Sequence, residues 1–282
     1  MKKYNLFLLC AGEGTRLRPF TMQRPKPLIP FLGVPLVEWV RRLFNPSYVD
    51  KTVVNVFHLA DHIEKYFKSE GAQVSDERHR LLGSGGGVHK ALSLLSTTES
   101  FFYANADEII LPTNKSCIDR LIEKHESTQA IATLLVTKHP QVGEKFGGAW
   151  SKDHETVQMF SKENPGKGFY GFHFVGIILI NSRIKKYFKP QVTDENILYE
   201  TLSKAINNGE KVILHEEPMD WFETGNPKDF QNSESQIHFH IQNNDRPWVN
   251  EIKGFIQGKG TQEVIVTDNR KKSEDRIKDL LS

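Results

Sequence analysis

Cysteine is scarce: only Cys10 and Cys117 occur among 282 residues, with no metal-like spacing. That excludes a disulfide framework and a thiolate metal cluster, and it points to a reducing compartment. An excess of one charge is missing too, with 37 Lys plus Arg against 35 Asp plus Glu, so no overall field draws the chain to nucleic acid or a membrane surface. Any basic chemistry must be local. No apolar run is long enough to span a bilayer, and no internal repeat or low-complexity tract occurs. The start, Met1-Lys2-Lys3 followed by Leu6 to Ala11, has the basic end and apolar stretch of a signal peptide. The stretch is at the short limit, though, and glycine and charge follow at once. Leu9 is also bulky where a lipoprotein site needs a small residue before its cysteine. This segment reads as a buried first strand, and a cytoplasmic protein is expected.

What is present begins with FLLCAGEGTRLRPFTMQRPKPLIP, residues 7–30. A dinucleotide fingerprint would need a third glycine near position 17 and a helix starting there, but Leu17 and Pro19 occupy that space. A Walker loop would place Lys and Ser or Thr directly after its last glycine, whereas Thr15 and Arg16 follow Gly14 and the lysine waits until Lys26. Prolines at 19, 25, 27 and 30 are expected to keep the segment extended. The glycines of Ala11-Gly12-Glu13-Gly14-Thr15 leave backbone N–H groups open to a polyphosphate. Arg16 can grip two phosphate oxygens, and Lys26 adds a point charge further along.

The first half alternates strand-like segments (4–11, 52–57, 72–76, 100–106) with helix-like ones (35–44, 60–69, and 84 to about 95), which predicts a mostly parallel sheet. Ligands of such sheets sit beyond the carboxyl ends of the strands, where the glycine loop and Asp107 both fall. Beyond 110 the order is less regular: helices near 116–126, 182–188 and 197–207, strands at 130–137, 172–180 and 211–216, and short strand-like pieces at Gly148 and Met159. The expected organisation is a first half at 1–110 that carries the glycine loop, a second half of the same domain at 111–235, and a polar extension at 236–282 with a possible strand at 263–267 and a charged terminal helix.

Asp107 closes a strand in Ala104-Asn105-Ala106-Asp107, a position equally suited to a turn former and to a metal ligand. The run Gly83-Ser84-Gly85-Gly86-Gly87 enters a helix and could serve as a flexible entry. His58, His62, His79 and His89 lack metal-ligand spacing, Ser84 has no nucleophile elbow around it, and Thr193 to Asn196 reads as a helix cap. The basic run Arg270-Lys271-Lys272 reads as a solvated segment.

The stretch LCAGEGTRLRPFTMQRPKPLIPFLGVPLVEW resembles the signature of the nucleotide-sugar pyrophosphorylases, or sugar-1-phosphate nucleotidylyltransferases. VNVFHLADHI, LLGSGGGVHKAL, FYANADEII and DWFETGNPKDF follow in the family's order, so the resemblance covers roughly residues 4–232 and is greatest to its small bacterial branch. It implies a Rossmann-like three-layer α/β/α fold of glycosyltransferase-A type with a mixed, mainly parallel central sheet. It also implies transfer of NMP from an NTP to a sugar-1-phosphate with Mg²⁺. Arg16, Lys26 and Asp107 would be catalytic; Ala11, Gly12, Gly14, Thr15, Arg16, Lys26, Ser84, Gly85 and Gly86 would bind nucleotide. Gly147, Glu163, Asn164 and Gly176 match sugar positions, and Asp107 with Glu223 would hold the metal. Glu223 stands where the family usually has aspartate, and Asn164 where it has lysine, so that one sugar-phosphate contact is either lost or supplied by Lys162 or Lys167. A cytidylyltransferase for a non-sugar phosphate and a catalytically silent sensing subunit are the rival readings.

Overall fold

The structure, a computed structural model, describes residues 2–95 and 98–259. The strand Tyr4–Leu9 is covered on both faces, which is why it reads as a continuous apolar run. It pairs in parallel with Val49–Val56 on one side and Ser100–Asn105 on the other, and Gln73–Asp76 extends the sheet, again in parallel, beyond Val49–Val56. Because strand side chains alternate, Leu6, Leu8, Val54 and Phe102 face one layer, which includes Val37, Ile63 and Leu121. Phe7, Val53 and Phe101 face the other, with Val88, Leu95, Leu202 and Ala205. The result is the expected three-layer α/β/α arrangement on a mixed, mainly parallel central sheet.

The second half joins through the long strand Tyr170–Asn181, antiparallel to both Ser100–Asn105 and Ala132–Thr137. Val212–Glu216 runs parallel to Ala132–Thr137, while Gly148–Ser151 and Met159–Ser161 extend from the first part of the long strand. The register shifts between Phe174 and Ile178, around Gly176 at φ 89°. A separate two-stranded ribbon pairs Ile109–Pro112 with Met219–Phe222 in antiparallel fashion, with Ile109 opposite Phe222. Asp107 therefore enters one strand at the end where Glu223 leaves the other.

Three regions differ from the sequence expectation. Residues 15–28 form three 3-10 turns, Thr15–Leu17, Phe20–Met22 and Lys26–Leu28, rather than an extended arm. A single 3-10 turn needs no N–H from a residue in its first turn, so Pro27 fits there without losing a bond. Ser182–Tyr187 is 3-10, and the next helix opens as a π-turn, Ile197–Leu202, before Ser203–Asn207. The helix Pro227–Asn243 runs through residue 236, and a further helix, Val249–Lys259, follows. Ile237, Trp248, Val249 and Ile252 from this region are buried with Phe31, Trp39, Phe222 and Phe230 in a third apolar cluster. The strand expected at 263–267, the terminal helix and Arg270-Lys271-Lys272 lie outside the described residues.

Candidate active site

The glycine loop starts from a buried polar network. The Asn55 side-chain oxygen accepts the N–H groups of Cys10 at 2.7 Å and Ala11 at 3.2 Å, and its amide donates to Glu77 Oε1 at 2.8 Å. Glu77 Oε2 in turn accepts the N–H of Leu82 at 3.1 Å. Burial pushes the Glu77 carboxyl up, and those donors only partly oppose it. The Ala11 amide is thus committed within the protein, and the open part of the loop begins at Gly12. A Cβ on Gly12 would meet no heavy atom within 4 Å, so packing does not demand a glycine there. Gly14 is different: its φ of 61° is left-handed, and a Cβ would lie 2.7 Å from Thr21 Cγ2 and 3.2 Å from Lys26 Cβ. Thr21 Oγ1 donates to the Gly14 carbonyl at 2.9 Å, and the Thr21 carbonyl meets His58 Nε2 at 2.5 Å. His58 therefore braces the loop, and the turns fold Lys26 back beside it.

Lys26 Nζ reaches Asp107 Oδ2 at 2.5 Å. Thr224 Oγ1 donates to the Asp107 carbonyl at 2.8 Å, fastening the segment that bears Glu223 to the turn that carries Asp107 between Ser100–Asn105 and Ile109–Pro112. Glu223 Oε1 and the Arg16 guanidinium both flank Gly225: a Cβ there would stand 3.1 Å from the first and 3.5 Å from the second. Arg16, Lys26, Asp107 and Glu223, dispersed in sequence, thus converge on one end of the ribbon.

Two groups there escaped sequence reading. Lys145 forms an ion pair with Glu223 and a second with Asp229 at 3.3 Å, and the Glu223 bond, then the Asp229 bond, hold its ammonium above the usual range. Glu108, next to Asp107, accepts Asn105 Nδ2 at 2.9 Å and Trp221 Nε1 at 2.8 Å. Burial, then the Asp107 charge, push its carboxyl up to about 7. Among the described residues no three His, Cys, Asp or Glu side chains cluster closely enough to cage a metal alone.

The sugar-site candidates separate. Gly176 lies against Glu108, with a Cβ there only 2.7 Å from Glu108 Cγ. Gly147 instead backs onto the Tyr199 hydroxyl, 2.0 Å from where its Cβ would be. Glu163 and Asn164 are exposed; Asn164 turns its side-chain oxygen onto the Gly166 N–H at 2.9 Å and lines a cavity of about 410 Å³ with Trp150, Tyr170 and Phe172.

The glycine run has a packing reason. Gly85 and Gly86 donate to the Glu195 carbonyl at 2.7 and 3.2 Å, and Ser84 Oγ accepts the Ile197 N–H at 3.0 Å. A Cβ on Gly86 would stand 2.1 Å from the Thr193 carbonyl oxygen. The amides of Gly85 and Gly86 are therefore occupied by the 193–197 segment. In that segment the Asn196 side chain accepts from Leu198 and Tyr199, capping the helix as expected.

The nucleotidyl transferase family pattern matches residues 6–239. A UTP–glucose-1-phosphate uridylyltransferase of Synechocystis is 24% identical over 79% of this chain and 60% of its own length. An N-acetylmuramate alpha-1-phosphate uridylyltransferase of Caulobacter vibrioides is 35% identical over 40% of this chain and 49% of its own. The chain thus spans about half to three fifths of the length of these two curated relatives. Among solved structures, the inositol-1-phosphate CTP transferase of T. maritima superposes with a TM-score of 0.66 at 20% identity, covering 81% of this chain and 92% of that one.

Proposed function

The chain belongs to the nucleotidyl transferase family, and from that premise we propose that it moves a nucleoside monophosphate from an NTP to a sugar-1-phosphate, yielding an NDP-sugar and pyrophosphate. The observation that carries this reading is the convergence of Arg16, Lys26, Asp107 and Glu223 beside an open glycine loop. An acceptor phosphate brings its nucleophilic oxygen already ionised near neutral pH, so no serine or histidine base is required. Catalysis then reduces to positioning and charge neutralisation at the α-phosphate, as in phosphoryl transfer generally. Arg16 holds the departing β- and γ-phosphates, and Lys26 bridges the α-phosphate and the incoming oxygen. Gly12 and Thr15 present loop backbone to the nucleotide.

The two acidic residues fit a hard divalent cation. Each already holds a cation, the ammonium of Lys26 on Asp107 and that of Lys145 on Glu223. Magnesium is commonly bound by one or two carboxylates plus substrate phosphates, which suits a pair rather than a cage. Asp107 and Glu223 would hold it, and when bound it would neutralise charge on the transferring phosphates.

A second reading is favoured by one observation, the Glu108 carboxyl group beside the aromatic group formed by Trp221, His173, Phe146 and His139. An acidic and aromatic acceptor pocket suits a cationic alcohol phosphate such as phosphocholine, with CTP as donor. Pyrophosphate release from four NTPs, each paired with a panel of sugar-1-phosphates and with phosphocholine, tests both. Release with a sugar phosphate supports the first, release only with phosphocholine the second, and release with none contradicts both.

A further inference from the structure

Lys145 lies in the loop between the strands Ala132–Thr137 and Gly148–Ser151. The backbone there is fixed: the Gly143 N–H donates to the Phe146 carbonyl at 2.8 Å, and the Gln141 carbonyl accepts from Glu144, Lys145 and Phe146 at 3.1–3.2 Å. Phe146 packs against Trp221 and His173, with ring centroids 5.3 and 5.0 Å away. The side chain of Lys145 is by contrast 44% exposed, with its ammonium 5.1 Å from the Phe146 ring centroid. It bonds Oε2 of Glu223, while Oε1 and the Arg16 guanidinium both flank Gly225. Its second partner, Asp229, is itself fixed by Asn226, through Nδ2 at 2.6 Å and through its own N–H to Oδ1 at 3.0 Å.

Loading the site would weaken this arrangement. A divalent cation on Glu223 would compete with the ammonium for the same carboxylate, and like charges at that separation repel. Asp229 keeps the lysine close, and the nearest new anions are the phosphates that arrive with the cation. We propose that Lys145 is a phosphate ligand of the loaded site, held in reserve on Glu223 and Asp229 and passed to a substrate phosphate oxygen when Glu223 takes the metal. The inference rests on the functional reading above and adds to it a lysine that neither the glycine loop nor the proline segment supplies. The phosphate could belong to the nucleotide or to the acceptor.

The test uses the full chain with Lys145→Met and Lys145→Arg. Mn²⁺ binding to the nucleotide-free protein, followed by electron paramagnetic resonance, should tighten about threefold in Lys145→Met, because an exposed ion pair no longer competes for Glu223. Binding of a magnesium complex of a non-hydrolysable NTP should weaken about tenfold in the same variant, the scale of one lost charged hydrogen bond, and Lys145→Arg should recover part of it. If the nucleotide holds but binding of the acceptor phosphate to the nucleotide complex weakens instead, the lysine serves the acceptor. Weakening of both metal and nucleotide would make the lysine structural and overturn the proposal, as would tighter metal binding with both phosphates unaffected, or no change in any affinity. A wild-type protein that binds no magnesium nucleotide overturns the functional reading itself, whereas normal wild-type binding with an unaffected Lys145→Met overturns only the role of the lysine.

Discussion

Gly86→Ala should destabilise the protein although alanine is the better helix former. The new Cβ would stand 2.1 Å from the Thr193 carbonyl oxygen and 3.0 Å from Leu82 Cβ. The nearest atom is backbone, so no rotamer change relieves the contact; the helix Gly83–Leu95 and the 193–197 segment must separate by about 1 Å, at an overpacking cost of roughly 1–3 kcal/mol. Separation also stretches the bonds from Gly85 and Gly86 to the Glu195 carbonyl and from Ile197 to Ser84. Each buried bond that weakens costs up to about 1 kcal/mol net. The intrinsic helix preference for alanine returns about 1 kcal/mol. A net loss of about 2–4 kcal/mol is expected, a large part of the roughly 5–15 kcal/mol of a typical domain. Urea unfolding followed by far-UV circular dichroism reads it directly, as a lower midpoint with unchanged slope. An unchanged or higher midpoint would refute the packing explanation of the glycine run and return those residues to a purely ligand-binding role.

Arg16→Ala and Lys26→Ala should each lower turnover at least about a hundredfold, the scale of one lost transition-state charge contact, with little change in the unfolding midpoint; near-normal turnover in either would remove its assigned role. His125 is buried between Ser100 Oγ at 3.1 Å and Thr133 Oγ1 at 3.0 Å, and burial pulls its imidazole down to about 4. Its folded pKa lies below the unfolded value, so its contribution is complete above about 6.5 and is lost as pH falls toward 4, at up to about 1.4 kcal/mol per pH unit. His125→Gln should flatten that part of the stability–pH profile, and an identical acid slope would show that the histidine does not titrate on unfolding. A chain ending at Ser235 should fail to fold, because it cuts the helix Pro227–Asn243 and removes Ile237, Trp248, Val249 and Ile252 from the third cluster. Losing those four at about 2–5 kcal/mol for each large side chain exceeds a typical reserve, and a soluble truncate with a cooperative thermal transition would contradict it.

What was legible in the chain is what local chemistry dictates. The parallel half of the sheet followed from strands that alternate with amphipathic helices, and Arg16 and Lys26 offered phosphate contacts beside a glycine turn, whereas only the family resemblance separated Asp107 from an ordinary turn former. Groups whose meaning depends on distant partners were not legible. Asn55 and Glu77 look like ordinary polar residues at strand ends, yet one holds the amides of Cys10 and Ala11 and the other holds Leu82. Lys145 sits in a polar loop and acquires its role only from Glu223 and Asp229, far along the chain. The glycine run was ambiguous for the opposite reason: absence of a side chain is required both where a ligand approaches and where backbone approaches, and only tertiary placement distinguishes Gly12, open on its Cβ side, from Gly86, blocked by Thr193. The polar turn in composition at 236 misleads in the same way. A helix on the surface needs few apolar residues to be anchored, and here one indole does much of it: Trp248 is buried against Phe222 and donates to Asp220 at 2.8 Å. Phe222 directly precedes Glu223, so this contact supports the strand from which that carboxylate emerges, and the C-terminal helices belong to the framework of the site.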